Sequence, residues 1–567
     1  MAVVKYFPSI LSGTLLTLSF PKAHLYWLAW IALIPLICSL KKVDGKTAFY
    51  SGFITGIVHL LYLLYWIVPT IHTYGQIPLF LALPILLLLS FYLALYPAFF
   101  AVGVNSFYNQ FLPLTAAAIW VSFEYLRALL FTGFPWGLLG TSQYTNITLI
   151  QIADITSVYG ISFIIILTNG IFAMTFNLIA KKKAVNDQNK EVNDQNKEVN
   201  GQKKAVEQKK VGGATLWLWY IFLSLLLVLI MTYGKVRIAQ IQKIANQSEH
   251  ISLSVVQGNI EQNFKWDQSY QEKTIRKYCD LSAQADKAAQ ADQTNQAVQK
   301  FQENNQKPDL IVWPETALPF YYLWDKSLSE QINRCIQESN TNFLIGSPAF
   351  EIEKTELKES NIYKYFNRAY MVNPDGLITG YYDKIHLVPF GEYVPLGEYL
   401  SFLGKIIAQS GDFSSGDING SPLAFHTLNG NDSTVGVLIC FEIIFPYLSR
   451  NIVNKGAKIL VNTTNDAWFG ETSAPEQHFS IAIFRAIENR RAIARAANTG
   501  ISGFIEPTGI VKEVSNIYVD AVLTYSMPSL SIETFYAESG DIFAITCLFA
   551  ISILFVIYTI QIVKKRR

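Results

Sequence analysis

The chain has 567 residues, 51% of them hydrophobic and 16% charged, with a formal net charge of +2. Soluble domains carry about 25% charged residues, so a wholly water-soluble chain is excluded and part of this one belongs in lipid. Near-neutral charge without a basic patch argues against a nucleic-acid partner. The five cysteines, Cys38, Cys279, Cys335, Cys440 and Cys547, are odd in number and irregular in spacing. That is neither a disulfide framework nor a CxxC metal site, and a Cys279–Cys335 bridge stays open at this level.

Apolar runs of roughly 20 residues, the length that crosses a bilayer, recur near residues 2–21, 24–40, 47–69, 77–104, 113–131, 149–179, 214–233 and 541–563. Eight spans are therefore expected. Pro21-Lys22 is not a cleavage site and a second span follows at once, so the first run reads as a span and not a signal peptide. The runs at 77–104 and 149–179 are over-long, and Pro84 and Pro97 predict a bend in the former. Lysines follow the second run (Lys41, Lys42, Lys46), fill 181–210 and close the chain. With eight spans all three segments share one side, which the positive-inside rule makes the cytoplasm. Both termini are then cytoplasmic. Lys235, Arg237 and Lys243 dissent, but the rule is weak for long translocated domains.

Glu124 and Arg127 lie three apart in the fifth run and share a face. Charges in a span are costly, so they are expected to pair or to mark a membrane-face site. Gly133-Phe134-Pro135-Trp136 beyond them predicts a turn at the outer interface. Residues 184–204 hold a tandem repeat, Ala184 to Lys190 and Glu191 to Lys197 with a looser third copy, which predicts a flexible polar linker. The resulting organisation is a membrane domain over 1–233 with a low-complexity loop at 181–212, an extracytoplasmic domain over 234–538, and an eighth span with a basic tail over 539–567.

In the extracytoplasmic domain, Ile251–Val256, Asp309–Trp313, Asn342–Ile345, Ala369–Val372, Thr434–Cys440 and Lys458–Asn462 predict strands. Ser480–Ala497 predicts an amphipathic helix rich in Arg, and 281–307 an inserted surface helix. Alternation of strands and helices at this length predicts one α/β domain.

Three groups placed by these elements can do chemistry. Glu315 ends the run Leu310-Ile311-Val312-Trp313-Pro314-Glu315, Lys384 lies in Tyr381-Tyr382-Asp383-Lys384-Ile385-His386, and Cys440 closes Val435-Gly436-Val437-Leu438-Ile439-Cys440. A thiol attacks a carbonyl as thiolate, and a carboxylate base or a nearby ammonium generates it. Glu315 would carry the proton. Lys384, with the N–H of Phe441, would stabilise the tetrahedral oxyanion. His386 and His478 lie in no cysteine-protease signature and are read as structural. With no HExxH and no Cys/His cluster, no metal is expected.

Glu, Lys and Cys in this order resemble the catalytic residues of the nitrilase superfamily. More narrowly, the chain resembles the apolipoprotein N-acyltransferase family. The motifs that carry this are Val256-Gln257-Gly258-Asn259 with Lys265-Trp266-Asp267, Trp313-Pro314-Glu315-Thr316-Ala317, and Lys384 through Pro395. Cys440-Phe441-Glu442, Asn465-Asp466-Ala467-Trp468-Phe469-Gly470, and Arg485-Ala486-Ile487-Glu488 to Asn498-Thr499-Gly500 complete them, with Glu124, Arg127 and Gly133–Trp136 in the membrane part.

The resemblance implies a nitrilase-like αββα sandwich inserted between spans seven and eight of a bacterial inner-membrane protein. It implies two steps without a cofactor. Cys440 takes an acyl chain from a phospholipid donor as a thioester, and the N-terminal amine of diacylglyceryl-cysteine on an apolipoprotein then accepts it. It makes Glu392 a second active-site carboxylate, Glu442 a support beside the thiol, Trp266 a residue of the acyl path and Asn367 a hydrogen-bonding partner. Phe441 stands where the family often has Tyr, which leaves that hydroxyl without a counterpart. The apolar segment Leu396–Ile407 is expected to be a lid on the outer leaflet. A membrane-tethered nitrilase-like amidase or thioesterase, with water as acceptor, is the alternative that the same three residues serve.

Overall fold

Period-two alternation in the short apolar runs builds a sandwich. The structure is a computed structural model that describes residues 2–195, 202–288, 307–353, 362–393 and 413–566. Its strands are β1 (His250–Gln257), β2 (Leu310–Val312), β3 (Asn342–Glu353), β4 (Ile362–Val372), β5 (Ile378–Asp383), β6 (Leu423–His426), β7 (Asp432–Ile439), β8 (Ile459–Thr464), β9 (Ala492–Ala497), β10 (Gly503–Ile505), β11 (Val511–Val514) and β12 (Ala521–Pro528). They form two six-stranded sheets, ordered β12-β1-β2-β3-β4-β5 and β11-β10-β9-β8-β7-β6. Each has three parallel strands at its centre, β1-β2-β3 in one and β7-β8-β9 in the other, with antiparallel strands outside them.

Alternate residues go to opposite faces, as the strand pleat requires. Leu253, Val255, Leu310, Val312 and Leu344 of the first sheet meet Val435, Val437, Ile439, Ile459, Val461 and Ala494 of the second in one buried core. Their neighbours Val256, Ile311, Trp313, Phe343 and Ile345 face the other way, under Ile275, Tyr278 and Leu281 of helix Gln268–Ala288 and Ile332 and Ile336 of helix Lys326–Ser339. The α/β domain and the αββα layering implied by the resemblance are thus present. Helix Gln268–Ala288 starts well before the inserted helix expected at 281–307 and covers the core, while 289–306 lie outside the described residues.

The predicted strands are present, and three reach further: β3 and β4 form a long hairpin, and β8 runs to Thr464. The helix expected over Ser480–Ala497 is corrected. It spans Ala474–Asn489, ends at Arg490 in the left-handed region, and gives way to β9. The arginines that mimicked a polar helix face are buried: Arg485 pairs with Glu488 at 2.7 Å and Arg495 with Asp466 at 2.8 Å.

Two compact units divide the chain: Met1–Tyr65 with Pro84–Arg237 and Asp541–Arg567, and Trp66–Leu83 with Ile238–Gly540. Assignment of Trp66–Leu83 to the sandwich unit departs from the boundary read from sequence. Trp66 lies edge-on to Phe469 at 4.9 Å between ring centres and Tyr74 edge-on to Trp468 at 5.9 Å. Aromatic packing of this kind fixes the link between the two apolar runs.

Among the described residues, five helices are long and apolar enough to cross a membrane: Leu79–Ser106, Leu112–Thr132, Ala153–Ala184, Ala214–Gln247 and Ile542–Lys564. A sixth arises if Gly45–Leu63 and Ile67–Tyr74, bent by 57°, count as one. The runs at 2–21 and 24–40 are shorter as helices. Ala2–Leu18 has 17 residues, and the second breaks into Tyr26–Trp30 and Ile34–Ser39 with Pro35 in the new first turn. Leu79–Ser106 holds Pro84 and Pro97 within one continuous helix. The expected irregularity in the sixth run is present as a non-helical Ser157. Helix Ala153–Gln195 also carries helical structure into the repeat read as a flexible linker.

Glu124 and Arg127 are buried. Glu124 accepts from the N–H of Leu139 at 2.6 Å, and Arg127 donates to the carbonyl of Gly137 at 3.3 Å. Both charges satisfy the backbone of the irregular stretch after the helix, where unpaired polar groups in an apolar setting would be costly.

Cys279 and Cys335 are paired, with Cα atoms 5.8 Å apart, and tie the two helices that cover the first sheet. They are separated by 56 residues, and closing a loop of that length stabilises by about 4 kcal/mol in the chain-entropy picture. Replacing both by Ser is expected to lower the urea midpoint of the sandwich unit, and reductant is expected to reproduce the shift in wild type and not in the variant.

Candidate active site

Each reactive group stands just past a strand whose neighbours the sandwich core fixes. β2 hands over to Pro314 and Glu315, β5 to Lys384, β7 to Cys440 and β8 to Asn465. Asn367 projects from β4, whose carbonyl at that residue accepts the N–H of Lys384 at 2.9 Å. Ile439 is the last extended residue. Cys440 has φ +53° and opens a 3-10 turn through Ile444. A non-glycine residue in that region costs roughly 1–3 kcal/mol, and the turn it makes presents the thiol instead of continuing the strand. Thr316, after Glu315, is held in the same region.

Glu315 is the hub. Its Oε1 accepts from Lys384 Nζ at 3.2 Å and from Asn367 Nδ2 at 2.8 Å, and its Oε2 accepts from the N–H of Asn465 at 3.0 Å. The Cys440 thiol lies within electrostatic reach of the same carboxylate. Glu392 Oε1 takes Lys384 Nζ at 2.9 Å and Asn367 Nδ2 at 3.0 Å, and its Oε2 takes the N–H of Val388 at 2.8 Å. All three members of the predicted set are buried, with Lys384 at 1% exposure.

Burial pushes Glu315 up, but Lys384, Asn367, Lys265 and the thiol together hold it below the ordinary carboxylate value. Burial pulls Lys384 down, and Glu315 with Glu392 override it, leaving it well above the usual lysine value. Burial, reinforced by Glu315, pushes the Cys440 thiol up against the pull of Lys384. The resting site is thus a neutral thiol facing an ionised carboxylate. Of the two routes to a thiolate open from sequence, this arrangement is suited to proton transfer to a carboxylate.

Glu442 locks two turns together. It accepts from the N–H of Ile439 at 2.7 Å, of Ile385 at 2.6 Å and of His386 at 3.0 Å, and from the Tyr382 hydroxyl at 3.0 Å. Burial pushes its carboxyl up to about 7 against the pull of these N–H donors. Its partners belong to the turn after β7 and the turn after β5, so one side chain sets Cys440 against Lys384.

The histidines do not touch the thiol. Burial and the charge of Lys384 lower His386 to about 4, and its Nδ1 faces the Tyr447 hydroxyl at 3.1 Å. His478 Nε2 lies 3.2 Å from the carbonyl oxygen of Cys440, its Nδ1 is on Asp466 at 3.1 Å, and burial lowers it. Phe441 packs its ring on Phe445 at 5.3 Å and His386 at 6.1 Å, a packing role that needs no hydroxyl. Trp266 is half-buried, whereas its neighbour Lys265 reaches in and donates to the carbonyl of Glu315 at 3.2 Å. Lys265 and Asn465 were quoted in motifs but not singled out. A buried lysine is rare unless paired, and its place in a run that turns back toward the strand ends was the available signal. Leu396–Ile407, the expected lid, lies outside the described residues.

A thiol, a carboxylate to move its proton and a fixed ammonium, set at the strand ends of a two-sheet αββα sandwich, define an acyl-transfer site of the carbon–nitrogen hydrolase class. The carbon–nitrogen hydrolase family model matches residues 253–525, and the model for the apolipoprotein N-acyltransferase N-terminal domain matches residues 12–171. An apolipoprotein N-acyltransferase of Geobacter metallireducens is 38% identical over 96% of this chain and 93% of its own length. Those of Pasteurella multocida and Chlorobaculum tepidum are each 28% identical, over 97% and 99% of this chain and 94% and 97% of their own. The chain belongs to the apolipoprotein N-acyltransferase family.

Glu442→Gln sets an amide NH2 against at least one buried N–H donor. An unsatisfied buried donor costs about 1–3 kcal/mol, and a misplacement of the two turns by an ångström slows the chemistry about 100-fold. The urea midpoint is expected to fall together with the rate of Cys440 acylation, followed by intact mass.

Proposed function

We propose that this chain moves a fatty acyl group from a membrane phospholipid, through a Cys440 thioester, to the N-terminal amine of a diacylglyceryl-cysteine on an apolipoprotein. The observation that carries the reading is the Cys440–Glu315–Lys384 constellation in a member of this family that also carries membrane-length helices. In the first half-reaction the thiol gives its proton to Glu315 as sulfur bonds to the ester carbonyl carbon. Lys384 Nζ stabilises the oxyanion, which collapses as Glu315 protonates the departing lysophospholipid alkoxide. In the second, the amine attacks the thioester, Glu315 takes its proton, and the amide leaves with Cys440 restored as thiol. Asn367 and Glu392 keep Glu315 and Lys384 in register through both halves.

The site requires no ATP in this scheme, since the ester supplies an activated acyl group. Glu124 and Arg127 are assigned to folding of the membrane unit. For localisation, the inner membrane with the sandwich unit outside the cytoplasm and both termini inside is favoured by the lysine distribution. A disulfide in that unit is in keeping with an oxidising compartment. Family membership favours the transferase over the tethered hydrolase.

Purified protein incubated with phospholipid is expected to gain one acyl mass on Cys440, to lose it on addition of a diacylglyceryl-cysteine peptide, and to gain none as Cys440→Ala. Hydrolysis of the adduct with no acylated peptide would replace this reading by the hydrolase.

The two halves are expected to differ in pH dependence. Glu315 lies below its ordinary value of about 4.3 and Glu442 is raised to about 7, so over roughly pH 5–6 Glu315 is ionised, Glu442 is unchanged and thioester formation is flat. The acceptor amine, with a pKa of about 7.7–8.0, gains free base nearly tenfold per unit across the same window, and transfer rises with it. Single-turnover rates of each half against pH check both slopes.

A further inference from the structure

Lys265 sits in the turn Asn259–Asp267, ahead of helix Gln268–Ala288, with 3% of its surface exposed. The turn is latched to the second sheet. Asn498 bonds both the N–H and the carbonyl of Ile260, at 2.9 and 2.8 Å, and Asn465 Nδ2 donates to Gln262 at 2.8 Å. Asn465 is also the residue whose N–H holds Glu315 Oε2. The ammonium therefore cannot swing out to water. Among the described residues its one hydrogen bond goes to the Glu315 carbonyl, so its charge faces the general base with no carboxylate of its own.

Among the described residues, the other groups facing Glu315 come from four strand ends and turns. Lys384 comes from the turn after β5, Asn367 from β4, Cys440 from the turn after β7 and the Asn465 N–H from the turn after β8. Glu392 stands beyond Lys384 and Asn367 and shares both. Asp466 is turned onto Arg495 and His478. Two carboxylates, Glu315 and Glu392, thus lie against one lysine that touches both. A second carboxylate beside Glu315, with a single ammonium between the two, disfavours ionisation of Glu315 in a desolvated site.

We propose that Lys265 is a positioning residue whose charge, together with its hydrogen bond to the Glu315 backbone, keeps Glu315 ionised and aimed at the thiol. Lys265 makes the second cation that balances Glu392, and it acts through Glu315 without contacting the acyl group. Burial lowers Lys265 to about 8, against the attraction of Glu315 and the Cys440 thiol, so it carries its charge at neutral pH. The inference rests on the reading of Glu315 as the proton carrier.

The test uses iodoacetamide as the probe of Cys440, because alkylation needs Glu315 ionised but needs no acyl donor or acceptor. The full-length protein in detergent is reacted from pH 3.5 to 7, and Cys440 carbamidomethylation is followed by peptide mass spectrometry. Opposite charges within about 4–6 Å lower a carboxyl by 1–3 pH units, so Lys265→Gln is expected to move the acid midpoint up by about one unit or more. Gln retains an N–H donor for the Glu315 carbonyl, Lys265→Met retains neither, and Lys265→Arg retains both donor and charge and is expected to keep the wild-type midpoint. A slower rate at an unmoved midpoint in Gln and Met would assign Lys265 to scaffolding alone and overturn the proposal. So would failure of both neutral variants to fold while Arg folds. Wild-type alkylation with a normal acid limb but no adduct from phospholipid would instead count against the transferase reading.

Discussion

A carboxylate withdrawn from water is the constraint on which the site depends. Glu442, fully buried, gathers N–H groups from the turn after β7 and from the turn after β5 and a hydroxyl from Tyr382. Isolated carboxylates are expensive to bury, and the cost is met only when their lone pairs are filled by donors with good geometry. That requirement makes the arrangement rigid. Cys440 cannot shift relative to Lys384 without stranding a charge-bearing oxygen.

Around that lock the same logic repeats at Glu315, which accepts from Lys384, Asn367 and the Asn465 backbone in a water-poor pocket. Low local dielectric strengthens each of these contacts and penalises any unpaired member. The outcome is a division of labour by environment. One carboxylate is held ionised by surrounding cations, one thiol is held neutral by burial, and one ammonium is held charged by two carboxylates. A proton poised between Cys440 and Glu315 follows from the surroundings and not from the intrinsic acidity of either group.

Much of this was legible in the residues. Strand runs ending in Glu315 and Cys440 were visible because a buried parallel strand reads as an uninterrupted apolar run bounded by turn residues. The membrane half was legible as length and hydropathy. Misreadings cluster where burial and polarity part company. Ser480–Ala497 looked like one amphipathic helix because its arginines recur at helical spacing, yet Arg495 lies on a strand and pairs inward with Asp466. Glu124 and Arg127, legible as charges three apart in a span, bond the backbone of Leu139 and Gly137, partners the spacing does not show. Trp66 looked like the end of one apolar run and Tyr74 like part of the link to the next, and their rings pack on Phe469 and Trp468.

The sequence by itself determined which segments seek lipid, which alternate as strands, and which strand ends carry a thiol, an acid and an amine. These are local properties, set by the period of the apolar residues and by what stands where each run stops. Only the tertiary structure decided that Lys265 and not Trp266 reaches Glu315, that Asn465 contributes its backbone, that Cys279 meets Cys335, and that Glu442 spans two turns. Those partners are 50 or more residues apart in most cases, and their protonation is set by a shared enclosure. No window along the chain contains that enclosure; it exists once the two sheets have closed on each other and driven the water out.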